Sequence, residues 1–328
     1  MDNFGQSDCI VSGGSGFIGS HLLPILSEIF DKIIVLDIKP PSITRKNITY
    51  IYCDVRNISN FNINLLPIGA HLIHLAALCK EPGYEWGEYF LTNYIGTKNI
   101  LDLSNKLKIT NIIFTSTMMV FKAGDSRMDE DSKATPDTAY GISKLLAEEV
   151  LNGWKNLNEN NRLRILRPGV VFGKGENGNY TRLYYALSKG FFFYIGRKTT
   201  IKGSIYVKDL VALIIFVLND KEHYNLLHAV YTEQLTIEQI CQNITKILNK
   251  KQFIPVIPYR IALLFSMVFL VLNSLGIRNS MHPRRIQKLY MSTDISAERL
   301  KNIGFFLKYP LIDALLDWKK DCQPNDLY

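Results

Sequence analysis

Tyr140 and Lys144 stand four residues apart in Tyr140-Gly-Ile-Ser-Lys144. On a helix, that spacing puts both side chains on one face. A phenol with an ordinary pKa near 10 is no base at neutral pH. An ammonium beside it favours the phenolate, and the pair becomes a candidate for proton transfer at a hydroxyl. The same spacing also suits a solvated helix face, so its meaning depends on the rest of the chain.

The elements that must position the pair begin near the N-terminal end. Asp8 to Val11 reads as a short apolar strand running straight into Gly13-x-x-Gly16-x-x-Gly19, and the apolar periodicity of 17–30 predicts a helix. Strand, glycine turn and helix in that order form the context of a dinucleotide fingerprint. Gly13 permits the tight turn, Gly16 lets the backbone approach a pyrophosphate, and Gly19 lets helix and strand pack closely. The free N–H groups where the helix opens, at Phe17 and Ile18, then face the phosphates. A second strand, 32–37, ends in Asp37, 18 residues after Gly19. An acid there accepts hydrogen bonds from the adenosine ribose and repels a 2′-phosphate, which favours NAD over NADP; Lys39 works the other way. The third strand, 48–53, ends at Asp54-Val55, where an acid sits over the adenine edge or simply ends the strand.

A fourth strand, 71–77, carries Leu75, Ala76 and Ala77 at its end, and 86–108 has helical periodicity around Asn93-x-x-Gly96-Thr97. The fifth strand, 111–117, is apolar and then turns into small hydroxyl residues ending at Thr117. Tyr140 opens a helix to about Asn156, and a sixth strand, 162–167, stops at Pro168. Strands alternating with helices predict an α/β fold, a doubly wound parallel sheet of Rossmann type. Ligands of such sheets lie beyond the carboxyl ends of the strands, where Gly13, Asp37, Ala76 and Thr117 fall. Past Gly175 regularity drops, and aromatics cluster at Tyr184, Tyr185 and 191–194. A strand at 204–207 and helices over 209–218, 236–249, 258–275, 284–290, 296–302 and 310–320 are predicted there. The expected division is an NAD-binding domain over 1–175, joined by about 204–231. A smaller C-terminal substrate lobe takes 176–203 and 232–328.

Composition narrows the class. Hydrophobic residues are 47% and charged residues 21%, an ordinary globular balance. The formal charge of +8 comes from dispersed lysines and arginines without interleaved aromatics, which argues against nucleic acid and for a phosphate-bearing small molecule. The five cysteines lack CxxC spacing, and the opening has no basic stretch before an apolar run; reduced thiols and a cytoplasmic location are expected. His71 and His74 alone have ligand spacing and lie in an apolar run, so no metal is expected. The apolar run Ile261–Leu272 is 12 residues long. A spanning helix needs about 20, so no transmembrane segment is read there, only a buried or interfacial helix.

The glycine motif, Asp37, His74-Leu-Ala-Ala77, Asn93-x-x-Gly96-Thr97, Thr115-Ser-Thr117, Tyr140-x-x-x-Lys144, Arg167-Pro168 and Tyr206-Val-Lys-Asp209 fall in this order. The chain resembles the extended short-chain dehydrogenase/reductase superfamily, specifically its NAD-dependent sugar epimerase/dehydratase family, typified by UDP-galactose 4-epimerase. The likeness is tightest over 8–175. It implies NAD held by Gly13, Gly16, Phe17, Ile18, Gly19, Asp37, Asp54, Val55, Leu75, Ala76, Ala77, Asn93, Tyr140, Lys144 and Pro168. It also implies a UDP- or GDP-linked sugar as substrate and a homodimer through the helices containing 86–108 and 140–156. Tyr140 would be general base and acid toward a sugar hydroxyl, Lys144 would also hold the nicotinamide ribose, and Thr117 would take the place of the family's catalytic serine or threonine. Substrate contacts are implied at Thr117, Met118, Val170, Lys202, Arg284 and Arg285.

The residues after Thr117 bear on the reaction. The family's 4,6-dehydratases place acids there and its decarboxylases a glutamate, whereas this chain has Met118-Met119, and thioethers transfer no protons. Val120-Phe121-Lys122 replaces the usual Val-Tyr-Gly, and Val170 stands where the family often has an asparagine. The expected activity is epimerisation at C4 through a transient keto-sugar. A keto-sugar reductase or a hydroxysteroid-type dehydrogenase is the alternative, the latter supported by Ile257-Pro258 before the 261–272 run. Dehydration ranks below these. A silent NAD sensor ranks last, opposed by intact Thr117, Tyr140 and Lys144.

Overall fold

The computed structural model describes residues 8–59, 61–219, 224–233, 235–274 and 283–322, leaving out the side chains of 268–274, 284 and 285. The first part of the chain runs β1 (Asp8–Ser12), α1 (Phe17–Ile29), β2 (Lys32–Asp37), β3 (Ile48–Tyr52) and β4 (His71–His74). Next come α2 (Trp86–Tyr89), α3 (Gly96–Lys106), β5 (Asn111–Thr115), β6 (Gly124–Met128), α4 (Ala139–Asn156) and β7 (Arg162–Pro168). After these lie β8 (Val170–Phe172), α5 (Asn179–Ser188), β9 (Tyr194–Ile195), β10 (Ser204–Tyr206), α6 (Val207–Asn219) and β11 (Leu226–Ala229). The last segment holds α7 (Ile237–Ile247), β12 (Val256–Ile257), α8 (Tyr259–Ser274), α9 (Pro283–Tyr290), β13 (Thr293–Ile295), α10 (Glu298–Asn302) and α11 (Leu311–Asp321).

Seven strands form one sheet in the order β11-β7-β5-β4-β1-β2-β3, parallel throughout. The order reverses between β1 and β4, and the crevice beyond their carboxyl ends is where such sheets take ligands. Side chains alternate with the pleat. Cys9 and Val11 pack with Leu22, Leu26 and Leu213 on one face, while Ile10 packs with Leu101, Leu151 and Trp154 on the other. All three β1 residues are essentially inaccessible, as expected of a parallel sheet with helices on both faces. A third apolar cluster joins Phe172, Tyr180, Tyr206 and Ile244 to Trp318 of α11. Small parallel pairs β8–β10, β9–β12 and β6–β13 complete the molecule. Among the described residues no helix is long and apolar enough to cross a membrane.

Several expectations are corrected here. The helix expected over 86–108 is interrupted by a π-turn, Phe90–Ile95, between α2 and α3. A seventh strand, β11, lies where none was read, because Leu-Leu-His-Ala is too short and too polar at its third residue to signal one. Regular α5 occupies the stretch expected to be irregular, with Tyr180 and Tyr184 buried on its inner face. The fourth and fifth strands end early, at His74 and Thr115, and Thr117 instead caps a 3-10 turn, Met118–Val120, by accepting from Met119 N–H at 3.2 Å.

Candidate active site

The glycine loop is shaped by contacts that leave no room for side chains. Gly13 has φ +76°, and a Cβ there would lie 2.4 Å from the backbone nitrogen of Ala76; one on Gly19 would lie 2.2 Å from Gly14 O. Gly16 is different: a Cβ there would meet only Gly13 O, at 3.2 Å, so the space on that side is otherwise open. Helix α1 starts at Gly16 with no side-chain cap and no acid in its first turn. Phe17 and Ile18, half-buried, therefore open a helix whose positive end is available to an anion. Asp37, at the end of β2, accepts from Ser15 N–H and Lys39 N–H, each at 2.9 Å, and so ties its carboxylate to the glycine turn. An uncapped helix start, an open glycine and a carboxylate at this spacing fit a dinucleotide.

The rest of the expected cofactor set divides. Leu75, Ala76 and Ala77 form the half-buried loop after β4, with Leu75 N–H bonded to Ser12 O at 2.9 Å beside the glycine turn. Asn93 grips the same loop: its Oδ1 accepts from Leu78 N–H at 2.8 Å and its Nδ2 donates to Leu78 O at 3.0 Å. That amide also reaches Ser143 Oγ at 3.0 Å, linking the loop to α4. The π-turn supplies the extra residue that aims Asn93 inward. Val55 is buried against Gly96, where a Cβ would lie 2.8 Å from the Val55 side chain. Asp54 forms a two-pronged pair with Arg56, the shortest contact 2.6 Å, beyond the end of β3. Pro168 ends β7, buried and paired with Ala229.

Helix α4 delivers the tyrosine and the lysine. Thr138 caps it by accepting from Gly141 N–H at 3.1 Å, which fixes where the first turn begins. Gly141 packs so tightly that a Cβ would come within 2.1 Å of Met119 O, which brings the Tyr140 turn against the Thr117–Val120 turn. Tyr140 is buried with Ala139 and Tyr89, its ring 6.2 Å from that of Tyr89, and it is hydrogen-bonded to the Thr117 side chain. Burial pushes its phenol pKa upward, and the Thr117 hydrogen bond pulls it back. Lys144 is wholly buried, with its Nζ 4.0 Å from the centre of the Phe114 ring. Burial lowers its pKa to about 7, against the pull of the Glu148 carboxylate one turn on. Glu148 in turn holds Arg167 through bonds of 2.9 and 2.6 Å, both side chains at most 6% exposed. Below the lysine, Phe114 stacks on His74, which accepts from Ser12 Oγ at 2.5 Å and donates to Thr97 Oγ1 at 3.0 Å. Thr97 must accept there because its own proton goes to Asn93 O, at 2.6 Å. Burial takes His74 down to about 3, so it is a neutral strut.

The expected substrate contacts are less uniform. Met118 is buried beside Thr117, and Val170 is half-buried on β8. Lys202 Nζ donates to Lys288 O and Met291 O, both at 2.7 Å, closing the carboxyl end of α9. Burial and Arg197 bring it down to about 7. Arg284 and Arg285 sit on α9, and their side chains lie outside the described residues. Three groups near the site were not singled out from sequence: Phe114, the Glu148–Arg167 pair, and exposed Cys79, which interacts electrostatically with Tyr140 and Lys144. Glu148 had a signal, its four-residue spacing from Lys144. Phe114 had none within its apolar strand.

The sequence profile described as the NAD dependent epimerase/dehydratase family matches residues 9–226. The chain belongs to this family. Like its relatives, this epimerase/dehydratase family member is an NAD-dependent enzyme of the extended short-chain dehydrogenase/reductase type. It is 31% identical over 313 residues to N-acetyl-alpha-D-glucosaminyl-diphospho-ditrans,octacis-undecaprenol 4-epimerase of Escherichia coli O157:H7, covering 94% of this chain and 93% of that protein. It is 31% identical over 196 residues to 3 beta-hydroxysteroid dehydrogenase/Delta 5-->4-isomerase of vaccinia virus strain Copenhagen, covering 55% of this chain and 56% of that one. The structure of UDP-N-acetylglucosamine 4-epimerase from Bacillus cereus superposes with a TM-score of 0.74 at 20% identity, covering 98% of both chains.

Proposed function

We propose that this enzyme inverts C4 of a sugar carried on a diphosphate, in the first place a UDP-linked hexose or N-acetylhexosamine, through a transient 4-keto-sugar. The observation that carries the reading is Tyr140 bonded to Thr117 at the start of the helix that also carries buried Lys144, with only thioethers following Thr117. NAD bound along the glycine turn supplies the hydride acceptor and donor. The chain's own residues handle the proton and the pose. Tyr140 removes the proton of the C4 hydroxyl and returns it, Thr117 orients the same oxygen, and the Lys144 ammonium offsets the burial that otherwise holds the phenol protonated. Met118 and Met119 provide no acid to expel a hydroxyl, which opposes elimination. Cofactor is assigned to 1–175 with 204–231, and the sugar to 176–203 with 232–328. A homodimer through the helices of 86–108 and 140–156 belongs to this reading; Trp86 and Leu91, 55% and 45% exposed, support it.

A second carrier has an observation of its own. The relative that aligns over nearly the whole chain is named for a sugar on undecaprenyl diphosphate, and the diphosphate is common to both carriers. The test is conversion of UDP-N-acetylglucosamine, and separately of N-acetylglucosaminyl diphosphoprenol, by purified enzyme without added NAD. Epimer should form with no net change in absorbance at the reduced-nicotinamide band. Stoichiometric formation or consumption of NADH would instead make the enzyme a dehydrogenase or reductase.

A further inference from the structure

We infer that the face built on α8 docks this protein on an anionic lipid surface. In α8, Ala262 and Ser266 are turned into the molecule, whereas Ile261, Leu264, Phe265 and Met267 are 45%, 64%, 60% and 50% exposed. The exposed residues recur at three- and four-residue steps, so they share a side of the helix. Two aromatics extend this apolar surface: Phe253 is 89% exposed and Phe191 is 78% exposed. They belong to the same region, because β12 leads directly into α8 and pairs with β9, Val256 opposite Tyr194. Gly190, next to Phe191, faces Gln252, next to Phe253: a Cβ on Gly190 would lie 3.8 Å from Gln252 Oε1. Exposed apolar side chains concentrated in one region of a water-facing surface mark a contact site.

The charge of the same segment identifies the occupant. From Gln239 to Thr293 the sequence holds eight lysines and arginines and no aspartate or glutamate, an excess as large as the +8 of the whole chain. Lys250, Lys251 and Arg260 of this segment are exposed around the apolar residues, and so is Lys189 before Phe191. Exposed aromatic and aliphatic side chains ringed by cations are the chemistry of an interfacial helix on anionic headgroups. A second copy of the chain would bring two such basic rims together, which opposes self-association through this face. The face also lies beside the cleft. Helix α9, which packs on α8, is bonded to Lys202 at its carboxyl end and sends Lys288 Nζ to Glu81 O, 2.9 Å, in the loop after β4. A lipid-borne diphosphate sugar would meet the enzyme on that side. The docking surface itself does not depend on the epimerase reading.

The test is co-sedimentation of the full chain with vesicles of phosphatidylglycerol and phosphatidylcholine, against vesicles of phosphatidylcholine alone. Binding to the anionic vesicles should be about tenfold stronger and should fall as salt is added. Leu264→Glu combined with Phe265→Glu should abolish it while leaving the thermal midpoint unchanged, since both side chains are exposed. Wild-type protein that stays in the supernatant overturns the inference, and so does a double variant that sediments like wild type. A lipid-free drop in molar mass of the double variant, read by light scattering, also overturns it, because a second copy would then be the occupant.

Discussion

Tyr140 is enclosed by Tyr89 and Ala139, and such a phenol resists ionisation; the proposed use as a base calls on the Thr117 hydrogen bond, which lowers its pKa, and on the ammonium of Lys144 one turn along α4. Tyr140→Phe should keep the fold, because the ring packing is retained, and should lower kcat by about two to four orders of magnitude. Steady-state epimerisation rates check this, and a loss under about tenfold would point to a different base. The Tyr140–Lys144 spacing was legible in sequence because it is local, whereas Thr117 was set beside it only by the order of the motifs. Four helical positions join Tyr140 to Lys144, and Thr117 ends an apolar run. Phe114 beneath the lysine was not legible, since an aromatic within a strand carries no sign of which helix will cover it. The helix-closing bonds of Lys202 were not legible either: a lysine near a phosphate motif looks the same in sequence whether or not it also closes a helix.

At the scale of elements, α4 and β7 are joined by the Glu148–Arg167 pair, buried and two-pronged. Glu148→Gln leaves the guanidinium without its counter-charge in a dry site and should cost about 3–5 kcal/mol of stability, measured by urea unfolding. It also removes the carboxylate that raises the Lys144 pKa. The lysine should then lose its proton at lower pH, so the alkaline limb of the pH–rate profile should move toward acid. A stability loss with an unmoved limb would limit the glutamate to a structural role. The pair spans 19 residues of sequence separation, from helix to strand, which local pattern cannot reveal. The same limit explains β11: four residues acquire strand identity only by pairing with β7, His228 opposite Arg167.

Across the whole molecule, the alternation of strands and helices in a parallel sheet was readable in advance, because parallel sheets demand continuous apolar strands with helical crossovers. The order at the outer edge was not, and there His228 is buried between sheet and C-terminal segment. Its Nδ1 donates to Ser296 O at 2.9 Å, Phe121 meets its ring edge-on, and burial, helped by Arg167 and Arg299, lowers its pKa to about 4. The unfolded chain therefore takes up this proton near pH 6.5 while the folded chain does not. The contribution to stability is complete above that pH and is lost as pH falls toward 4, by up to about 3 kcal/mol. Glu130, raised by burial, acts in the opposite sense, so the informative quantity is a difference between proteins. Denaturant unfolding at pH 7 and pH 4.5 should show a smaller loss for His228→Gln than for wild type. Equal losses would reject the assignment.

The π-turn at Phe90–Ile95 makes this segment sensitive to length as well as to residue identity. A π-turn accommodates one residue more than the regular helix around it. Removing one residue of the turn would let an unbroken α-helix close with α2 and α3 near their present phase, and the residues within the turn, Asn93 among them, would change the direction in which they point. Asn93 would then release Leu78, while Tyr89, in α2, would keep its hydroxyl on Lys80 O. The loop that borders the cofactor cleft is thus set by a residue count, and a one-residue deletion there would misalign the cleft even with every named side chain still present.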